Sequence, residues 1–376
     1  MSSDFESRPG AVGSPPEHYG NPLGEQKLLV AGDAIVDLSD RAVITVIGPD
    51  RLTWLDSLTS QAISSLAPGE SAETLLLDPT GRLEHALRIV DDGDTLWVLV
   101  DGAQGPALAA WLDRMRFMLR VEVADRTADF RTIGTLGTPP LEGVTWVDPW
   151  ENAPGHQYAA SRPEAPWSYR EILVPRSLDL SEFPAAGTLA LEALRIAAWR
   201  PRLATEADEK SIPHELDWLR SAVHLSKGCY RGQETVAKVH NLGHPPRRLV
   251  MLHLDGAVAA PGAEVSRVEP GLQRVELGLP RVELVETSPT SDPALVETSP
   301  TPDPTPVGHV TSSALHYELG PIALAIIKRN VDPSIDLVVA SDDGPIAAAQ
   351  EVIVPTDAGA EANVPRLPRL GAVTRP

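Results

Sequence analysis

Short apolar runs separated by turn residues dominate the first third of the chain. A strand-like run that starts at Leu28 leads to a second apolar run at residues 43–47. Asp50 follows, in a position to cap a helix whose apolar residues recur at helical spacing until Pro68 and Gly69 end it. The pattern therefore predicts strands followed by an amphipathic helix.

Three further strands and a second helix follow. The strands are predicted at residues 74–77, 83–90 and 95–100, and the turn sequence at residues 78–81 joins the first two. A helix is predicted from about 103 to 119, with large apolar residues on one face. Short strands interrupted by few helices favour an α+β fold over a doubly wound parallel sheet.

The pattern weakens in the middle of the chain and returns near its end. Residues 134–184 are rich in proline and tryptophan and show little periodicity, whereas residues 190–199 predict a helix that stops before Pro201. From Leu249 onward, short β runs are divided by glycine and proline. This arrangement is typical of a small β-barrel and predicts one at the C-terminal end.

These patterns predict four parts. They are a disordered N-terminal segment at 1–22, an α+β region at 23–245, a barrel domain at 246–354 and a disordered tail at 355–376. The α+β region consists of two subdomains that divide near residue 130, with a return segment at 187–245. The barrel domain carries an insertion at 281–306.

The predicted insertion contains a short acidic repeat. The heptapeptide LVETSPT begins at Leu284 and again at Leu295, and residues 281–306 carry five carboxylates against Arg281 alone. Two copies are too few for a solenoid, and their prolines oppose helix and central strand alike. We interpret the segment as a solvated loop between two barrel strands; the alternative is a peptide that binds a partner protein.

Charge and cysteine content exclude several classes of function. A net charge of −20 opposes binding to nucleic acids or anionic membranes. No purely apolar run is longer than residues 322–327, which is far below the ~18 residues of a membrane span. A single cysteine excludes an intrachain disulfide and a metal site made of several thiolates. Because the N-terminus also lacks an apolar signal sequence, we expect a cytoplasmic protein.

The segment with the most chemical information is KGCYRGQE at residues 227–234. Residues 233–241 predict a short helix that Gly243 ends, so Cys229 precedes a helix N-terminus and lies between Lys227 and Arg231. The helix dipole and both cations favour thiolate over thiol. Cys229 is therefore a candidate reactive or ligand-sensing thiol; the alternative is a small buried hydrophobic residue.

The same region is basic although the chain is acidic. Residues 227–248 contain five cations against Glu234 alone. These cations predict a local site for carboxylates or phosphates, or alternatively a solvated basic face. The ten histidines include no HExxH pair, and the chain has no GxGxxG, phosphate-binding loop or GxSxG motif. The five cations are Lys227, Arg231, Lys238, Arg247 and Arg248.

The sequence KGCYxGQE resembles the signature of the YgfZ family of folate-binding proteins, which are relatives of the glycine-cleavage T-protein, an aminomethyltransferase. Similar segments extend over roughly residues 18–330, interrupted by the acidic insertion. The further segments that carry the resemblance are residues 46–50, 194–196, 212–216, 308–312 and 320–324.

The resemblance implies a three-domain T-protein-like fold around a central opening that binds tetrahydrofolate, in its simple or polyglutamylated form. It also implies a role in making or maintaining iron–sulfur enzymes, with client or assembly proteins as partners and without independent turnover. Cys229 is then the functional thiol. The implied folate contacts are Lys227, Gly228, Tyr230, Arg231, Gly232, Gln233, Glu234 and Arg248.

Departures from the T-protein pattern argue against aminomethyl transfer. His85 or Ala86 stands where the T-protein carries an acid, and Ala197 and Ala198 stand where it carries a folate-contacting glutamate. Trp199 replaces the usual glycine at this helix end. Two alternatives stay open, namely a one-carbon transferase that uses Glu84 as its acid, and a folate-binding module in which Cys229 is structural.

Overall fold

Two five-stranded sheets and a closed barrel form the protein. The computed structural model describes residues 4–159, 167–267 and 305–362. Helices contribute less to it than strands, and two single turns of 3-10 helix at Gly102–Gln104 and Pro213–Leu216 supplement them. The α+β class predicted from the sequence is therefore confirmed.

The first sheet is antiparallel and has the order β3-β4-β5-β2-β6. Helices α2 and α3 contribute Leu55, Leu108 and Leu112 to a core that also contains Leu87 and Ile89 of the sheet. The elements of this part are β2 (Arg41–Ile47), α2 (Arg51–Leu58), β3 (Ser71–Leu77), β4 (Leu83–Asp91), β5 (Thr95–Asp101), α3 (Gly105–Met115) and β6 (Glu122–Asp125).

The second sheet has the order β10-β1-β7-β9-β8. The chain enters it before it forms the first sheet, because β1 pairs with β7 and β10. Its strands are β1 (Ile35–Asp37), β7 (Phe130–Thr135), β8 (Val144–Val147), β9 (Arg170–Pro175) and β10 (Ala185–Ala186), and the helices around it are α1 (Pro22–Ala31), α4 (Thr188–Ala197) and α5 (Leu203–Glu206).

Six strands then close into the predicted C-terminal barrel, in the order β11-β14-β13-β12-β15-β16. Helix α6 (Gln233–Leu242) leads into it. The strands are β11 (Arg247–Leu254), β12 (Glu264–Arg267), β13 (Thr305–His316), β14 (Gly320–Lys328), β15 (Leu337–Val339) and β16 (Ile346–Val352).

One hydrophobic core joins the three parts. It contains Leu75 of the first sheet, Leu173 of the second, Leu194 of α4 and Leu324 of the barrel. Because buried apolar surface is shared among all of them, the two sheets and the barrel are held in one arrangement. Helix α4 lies within this core. Its polar residues Glu192 and Arg195 line a cavity between the two sheets, called the central cavity.

Arg200, just after α4, connects the two sheets through buried charges. Its Nη2 is 2.6 Å from Oε1 of Glu73 in the first sheet, and its Nε is 2.8 Å from Oδ2 of Asp148, which follows β8. Trp218 and Ser221 also donate hydrogen bonds to Glu73. All three charged residues are buried, so each depends on the others for charge compensation.

The N-terminal segment differs from the disorder predicted for residues 1–22. Among its described residues, Phe5 is completely buried, and both terminal nitrogens of Arg8 donate to the carbonyls of Leu180 and Phe183 at 2.7 Å. Asn21 caps α1 by accepting from the Gly24 amide. The prolines and glycines there shape turns against the second sheet, a role that composition alone does not reveal.

Several predicted elements have different boundaries. The run from Leu28 belongs to α1, not to a strand. Helix α2 ends at Leu58, well before Pro68, and Asp50 precedes it without a capping hydrogen bond because its carboxylate binds Arg120. Helix α3 ends at Met115 instead of residue 119.

Two predicted segments fall largely outside the described residues. The acidic insertion at 281–306 does so except for its last two residues, which open β13. The tail at 355–376 is described only to residue 362, and there it is packed, since Ala358 is buried and the Glu361 and Ala362 amides bond to carbonyls of α6.

Replacing Arg200 tests the connection between the sheets. Arg200→Met should lower the free energy of unfolding by about 3–5 kcal/mol, because it leaves Glu73 and Asp148 as uncompensated buried charges. Arg120→Met, which breaks an ion pair whose arginine side chain is 73% exposed, should cost at most about 1 kcal/mol. Urea unfolding of both variants measures the contrast, and equal costs would contradict the proposed connection.

Asp217 should make stability depend on pH. Burial raises its pKa from 3.8 to about 7, even though the Tyr158 amide donates to it at 2.7 Å. A raised folded-state pKa gives stability that is present at low pH and lost as pH rises from about 4 to 7. Asp217→Asn should therefore become more stable relative to wild type over that range, by ~4 kcal/mol at most. Urea unfolding at pH 5 and pH 8 checks this, and a constant difference would contradict it.

Candidate functional site

The Cys229 thiol is exposed on the loop that precedes α6. The alternative of a small buried hydrophobic residue is therefore wrong for this cysteine. The loop is short, running from the buried Val223 to the start of α6 at Gln233. Its exposed position makes the thiol accessible to a macromolecule as well as to a small ligand.

Lys227 fixes the start of this loop. Its Nζ donates to the carbonyl oxygens of Asp56, Thr59 and Gln61 at 2.6, 2.8 and 2.8 Å, and it lies 3.4 Å from the Asp56 carboxylate. Burial lowers the pKa of Lys227 against the effect of Asp56. With three carbonyls and a carboxylate around it, the ammonium group positions the loop and is not free to bind a ligand.

The two glycines of the motif have different surroundings. Gly232 has a φ of +84°, and a Cβ there would lie 2.6 Å from the Asp78 carbonyl and 2.9 Å from Gly81 Cα. This glycine therefore lets α6 begin directly against the turn between β3 and β4. Gly228 has open space on the side where a Cβ would point, so its backbone is accessible beside the thiol.

The remaining motif residues divide into buried and exposed groups. Tyr230 is buried, which raises its pKa to about 12, and Lys227 Nζ lies 5.5 Å from its ring centroid. Gln233 donates to the Lys227 carbonyl at 3.4 Å. Glu234, in the first turn of α6, is exposed. Among the predicted contacts, Gly228 and Glu234 are the ones that face outward next to Cys229.

The basic segment does not form the open anion site that its charge predicts. Arg231 binds the Glu84 carboxylate at 2.6 Å, and Arg247 binds Asp208 and Glu215 at 2.6 and 2.8 Å. Local sequence shows the cations but not the carboxylates that fold against them from distant positions. Lys238 is exposed on α6.

Arg248 does not join the motif. Its side chain is completely buried within the barrel domain, and it donates to the carbonyls of Arg329 and Val331 and to Gln350. Burial lowers its pKa to about 10. The Arg248 side chain is therefore separate from the motif, because alternation along β11 turns adjacent arginines to opposite sides, and its contact with folate stays a prediction.

A cavity of about 270 Å³ lies between the two sheets and α4. Its polar wall is formed by arginines from three parts of the chain, and its aromatic wall by Trp167 and Tyr169, whose rings stack at 4.9 Å. The arginines are Arg41 of β2, Arg88 of β4, Arg195 of α4, and Arg200 and Arg202 after it.

Buried carboxylates hold these arginines. Arg41 binds Asp101, and both Arg41 and Arg88 approach Glu171 Oε1, at 3.3 and 3.4 Å. Although burial works against ionisation, Arg88 and Arg41 keep the pKa of Glu171 below its usual value. Tyr169 donates to the same oxygen at 2.9 Å. The wall is thus a rigid ion network, which the fold pre-organises.

Several donors of the wall have no protein acceptor. The buried nitrogens Nε of Arg41, Nη1 of Arg200 and Nε of Arg202 make no hydrogen bond. Unpaired N–H groups around a cavity favour a ligand that carries acceptors. Local sequence does not reveal this wall: three of its arginines fall within residues 195–202, but the other two are distant in sequence and only the fold brings them near.

Strand β4 shows what replaces the T-protein acid. Leu87 and Ile89 face the core of the first sheet, whereas Ala86 packs against the central core and Arg88 faces the cavity. His85 lies on the other side, 3.0 Å from Gln104 Oε1, and burial lowers its pKa. The β4 residue that faces the central core at this position is therefore Ala86, which has no carboxylate.

The end of α4 shows a similar loss. Ala197 is buried and offers no polar group. Trp199 has a φ of +54°, the left-handed conformation that glycine adopts without strain, so its replacement of the usual glycine is accommodated at a conformational cost. Its side chain is buried in the central core and fills space there.

Neither a metal-binding cluster nor a membrane-spanning helix occurs among the described residues. Within residues 4–159, 167–267 and 305–362, no three His, Cys, Asp or Glu side chains lie together in a way that could hold a metal ion. Over the same ranges, no helix has the length and apolar character needed to cross a membrane.

Comparison with known proteins identifies relatives of two kinds, although no protein-family model matches the chain. It is 23% identical over 248 residues to "Iron-sulfur cluster assembly factor IBA57 homolog, mitochondrial" of Mycosarcoma maydis, covering 61% of this chain and 59% of that protein. It is 22% identical over 226 residues to an aminomethyltransferase of Chromobacterium violaceum, covering 57% and 62%. The chain thus spans about three fifths of the length of these relatives.

A solved structure matches the whole architecture. The glycine cleavage system aminomethyltransferase T from Bartonella henselae superposes with a TM-score of 0.66 at 16% identity, covering 94% of this chain and 96% of that one. At this identity the match establishes the fold. The chain is therefore related to an IBA57 homologue and to aminomethyltransferases, as its resemblance to YgfZ-type T-protein relatives predicts, and it has the fold of the glycine-cleavage T-protein.

Proposed function

We propose that this protein is a tetrahydrofolate-binding accessory factor for the assembly or repair of iron–sulfur clusters, with the Cys229 thiol as its functional group and no independent turnover. The observation that carries the proposal is the exposure of Cys229 on a firmly held loop. The relationship to a protein named as an iron–sulfur cluster assembly factor supports it.

The loop geometry suits contact with a client protein. Lys227 on one side and Gly232 on the other fix the loop ends, while Gly228 and Cys229 stay exposed. A single thiolate provides one of the several ligands that an iron–sulfur cluster needs. Any contact between Cys229 and a cluster would therefore be shared with a client or assembly protein that supplies the other ligands.

The central cavity is the proposed folate site. Arg41, Arg200 and Arg202 line it and each has a buried nitrogen without a protein acceptor, so their guanidinium groups suit the acceptor atoms of a folate, and Trp167 and Tyr169 offer an aromatic wall to a planar ring. At about 270 Å³ the cavity is at the lower end of ligand pockets, which span ~300–1,000 Å³, so part of the ligand would extend outside. When bound, folate would supply a carrier for one-carbon units.

The cavity and the thiol lie along the same strand. Arg88 of β4 lines the cavity, and Glu84 of β4 binds Arg231, two residues from Cys229. Four residues of strand span about 13 Å. An elongated ligand anchored beside Arg88 can therefore extend toward the thiol loop.

The transferase alternative lacks its acid. Ala86 and Ala197 stand on the central face, and Glu84, the carboxylate that would favour the alternative, is committed to Arg231 at 2.6 Å. General acid–base catalysis needs a titratable group within reach of the substrate.

The cytoplasmic location expected from the sequence stays a prediction, because the name of the fungal relative places that protein in mitochondria.

Replacing the thiol tests the main proposal. In cells that lack their own copy, Cys229→Ser should fail to restore the activity of iron–sulfur enzymes, whereas Ser226→Ala, on the same exposed loop, should restore it. Because Cys229 is exposed, the melting temperature of the serine variant should match wild type. Full enzyme activity with Cys229→Ser would disprove a functional thiol.

Replacing one wall arginine tests the folate site. Calorimetry should show heat with tetrahydrofolate or its polyglutamates at micromolar protein. Arg202→Ala should weaken binding by roughly tenfold or more, because a hydrogen bond to a charged group contributes about 1.5–3 kcal/mol. Lys238→Ala, which removes an exposed cation of the basic segment, should leave affinity unchanged. The opposite pattern would place the ligand on α6, and absence of heat would exclude folate.

A further inference from the structure

A strongly exposed apolar turn follows α3. Phe117 and Met118 are 80% and 97% exposed, the highest fractions among the exposed large apolar side chains of the described chain, and Leu119 is 46% exposed. We call residues 114–120, with the sequence RMRFMLR, the α3 tip. The sequence pattern places Leu119 on an apolar helix face, but α3 ends at Met115 and leaves the tip outside the core.

Contacts at both ends hold the tip in place. The Arg120 amide and Nε donate to Asp50 Oδ2 at 2.9 and 3.0 Å, and its Nη2 donates to Oδ1 at 2.7 Å. Trp54 Nε1 donates to the Met115 carbonyl at 3.2 Å. A fixed apolar surface loses less conformational entropy on binding than a mobile one does.

Phe117 adopts an unfavourable backbone conformation. Its φ of +44° lies in the left-handed region, which disfavours aromatic residues. Strain of this kind costs of order 1 kcal/mol or more and is found at ligand clamps and other functional sites. The exposed Phe117 side chain recovers no burial energy within the described chain, whereas contact with a partner would provide it.

The rim of the tip is basic in an acidic protein. Arg114 is exposed, and the side chains of Arg116 and Arg120 are 43% and 73% exposed even though they pair with Asp113 and Asp50. Phenylalanine, methionine and arginine are enriched at the centres of protein interfaces. This combination fits an apolar pocket surrounded by carboxylates, which the local arginines of the tip complement.

Two helices connect the tip to the thiol loop. Arg231 lies over the ring of Trp111 in α3, with its Cζ 5.8 Å from the ring centroid, and Lys227 binds the Asp56 carbonyl of α2. Helix rise places Trp111 about 6 Å along α3 from Met115, where the helix ends and the tip continues. A partner the size of a small domain, ~30 Å across, is large enough to reach from the tip to the thiol loop.

We propose that the α3 tip is a docking surface for a protein partner that presents an apolar pocket rimmed by Asp and Glu, and that docking there holds the partner over Cys229. This inference rests on the proposed function, since the partner is then an iron–sulfur client or assembly protein. Phe117 and Met118 are the anchors, and Arg114 and Arg116 select the acidic rim.

The first test uses variants in cells that lack their own copy. Phe117→Ser/Met118→Ser should lower iron–sulfur enzyme activity toward the level of Cys229→Ser, with an unchanged melting temperature and unchanged folate binding in calorimetry. Leu315→Ser/Leu319→Ser, a matched pair of exposed leucines on the barrel, should be fully active. Full activity of the Phe117/Met118 variant, while Cys229→Ser is inactive, would overturn the docking proposal.

Phe117→Gly separates docking from a structural role. Glycine accepts a φ of +44° without strain, so this variant should melt at the same or a higher temperature and still lose iron–sulfur enzyme activity. A variant that retained activity with raised stability would show that Phe117 is no anchor.

Photo-crosslinking decides the proposal independently of the proposed function. A benzoylphenylalanine at position 118 should form an adduct in cells with one protein, at an apolar surface bordered by Asp and Glu, and Arg114→Glu should lower the yield about tenfold. No adduct, or one on a surface without carboxylates, overturns the docking surface even if Cys229→Ser is active and the proposed function has failed.

Vesicles distinguish a membrane from a protein partner. Wild type should not sediment with phosphatidylcholine vesicles that contain phosphatidylserine. Sedimentation that Phe117→Ser/Met118→Ser abolishes would assign the tip to a lipid surface and overturn the protein-docking proposal.

Discussion

The pairing of buried arginines with buried carboxylates is the constraint on which this structure depends. Arg200 is compensated by Glu73 of one sheet and Asp148 of the other, so neither sheet can move away without leaving a charge unpaired. Arg195 adds a second connection, since it binds Glu206 at 2.9 Å and Ser312 of the barrel at 3.0 Å. Beside the hydrophobic core that joins the three parts, these ion networks form the polar wall of the central cavity.

The thiol motif shows that signature residues can stabilise the loop that carries Cys229 instead of contacting a ligand. Lys227, Tyr230 and Gly232 are all committed to neighbouring backbone or to the core. Their combined effect is to leave Cys229 exposed in a defined place. Because the cationic side chains around it are paired, the chemistry of the site depends on what approaches the thiol from outside.

The residues of β4 and α4 that face the central core lack the carboxylates that the T-protein pattern places there. Ala86 and Ala197 are small and apolar, and Trp199 fills adjacent space even though its backbone conformation suits glycine. The arginine wall stays polar in spite of these changes. A cavity lined by arginines, with alanines where the T-protein pattern has acids, is consistent with the proposed binding role.

The sequence by itself determined the α+β class, strands β2 to β5 of the first sheet, the barrel and the helix after Cys229, because these depend on local periodicity and on glycine and proline signals. It also located the thiol. Only the tertiary structure decided that the basic segment is neutralised, that Arg248 lies inside the barrel domain and that residues 4–22 are packed. Charge compensation and burial bring together residues that are far apart in the chain, such as Arg231 and Glu84. Local sequence patterns cannot identify such partners.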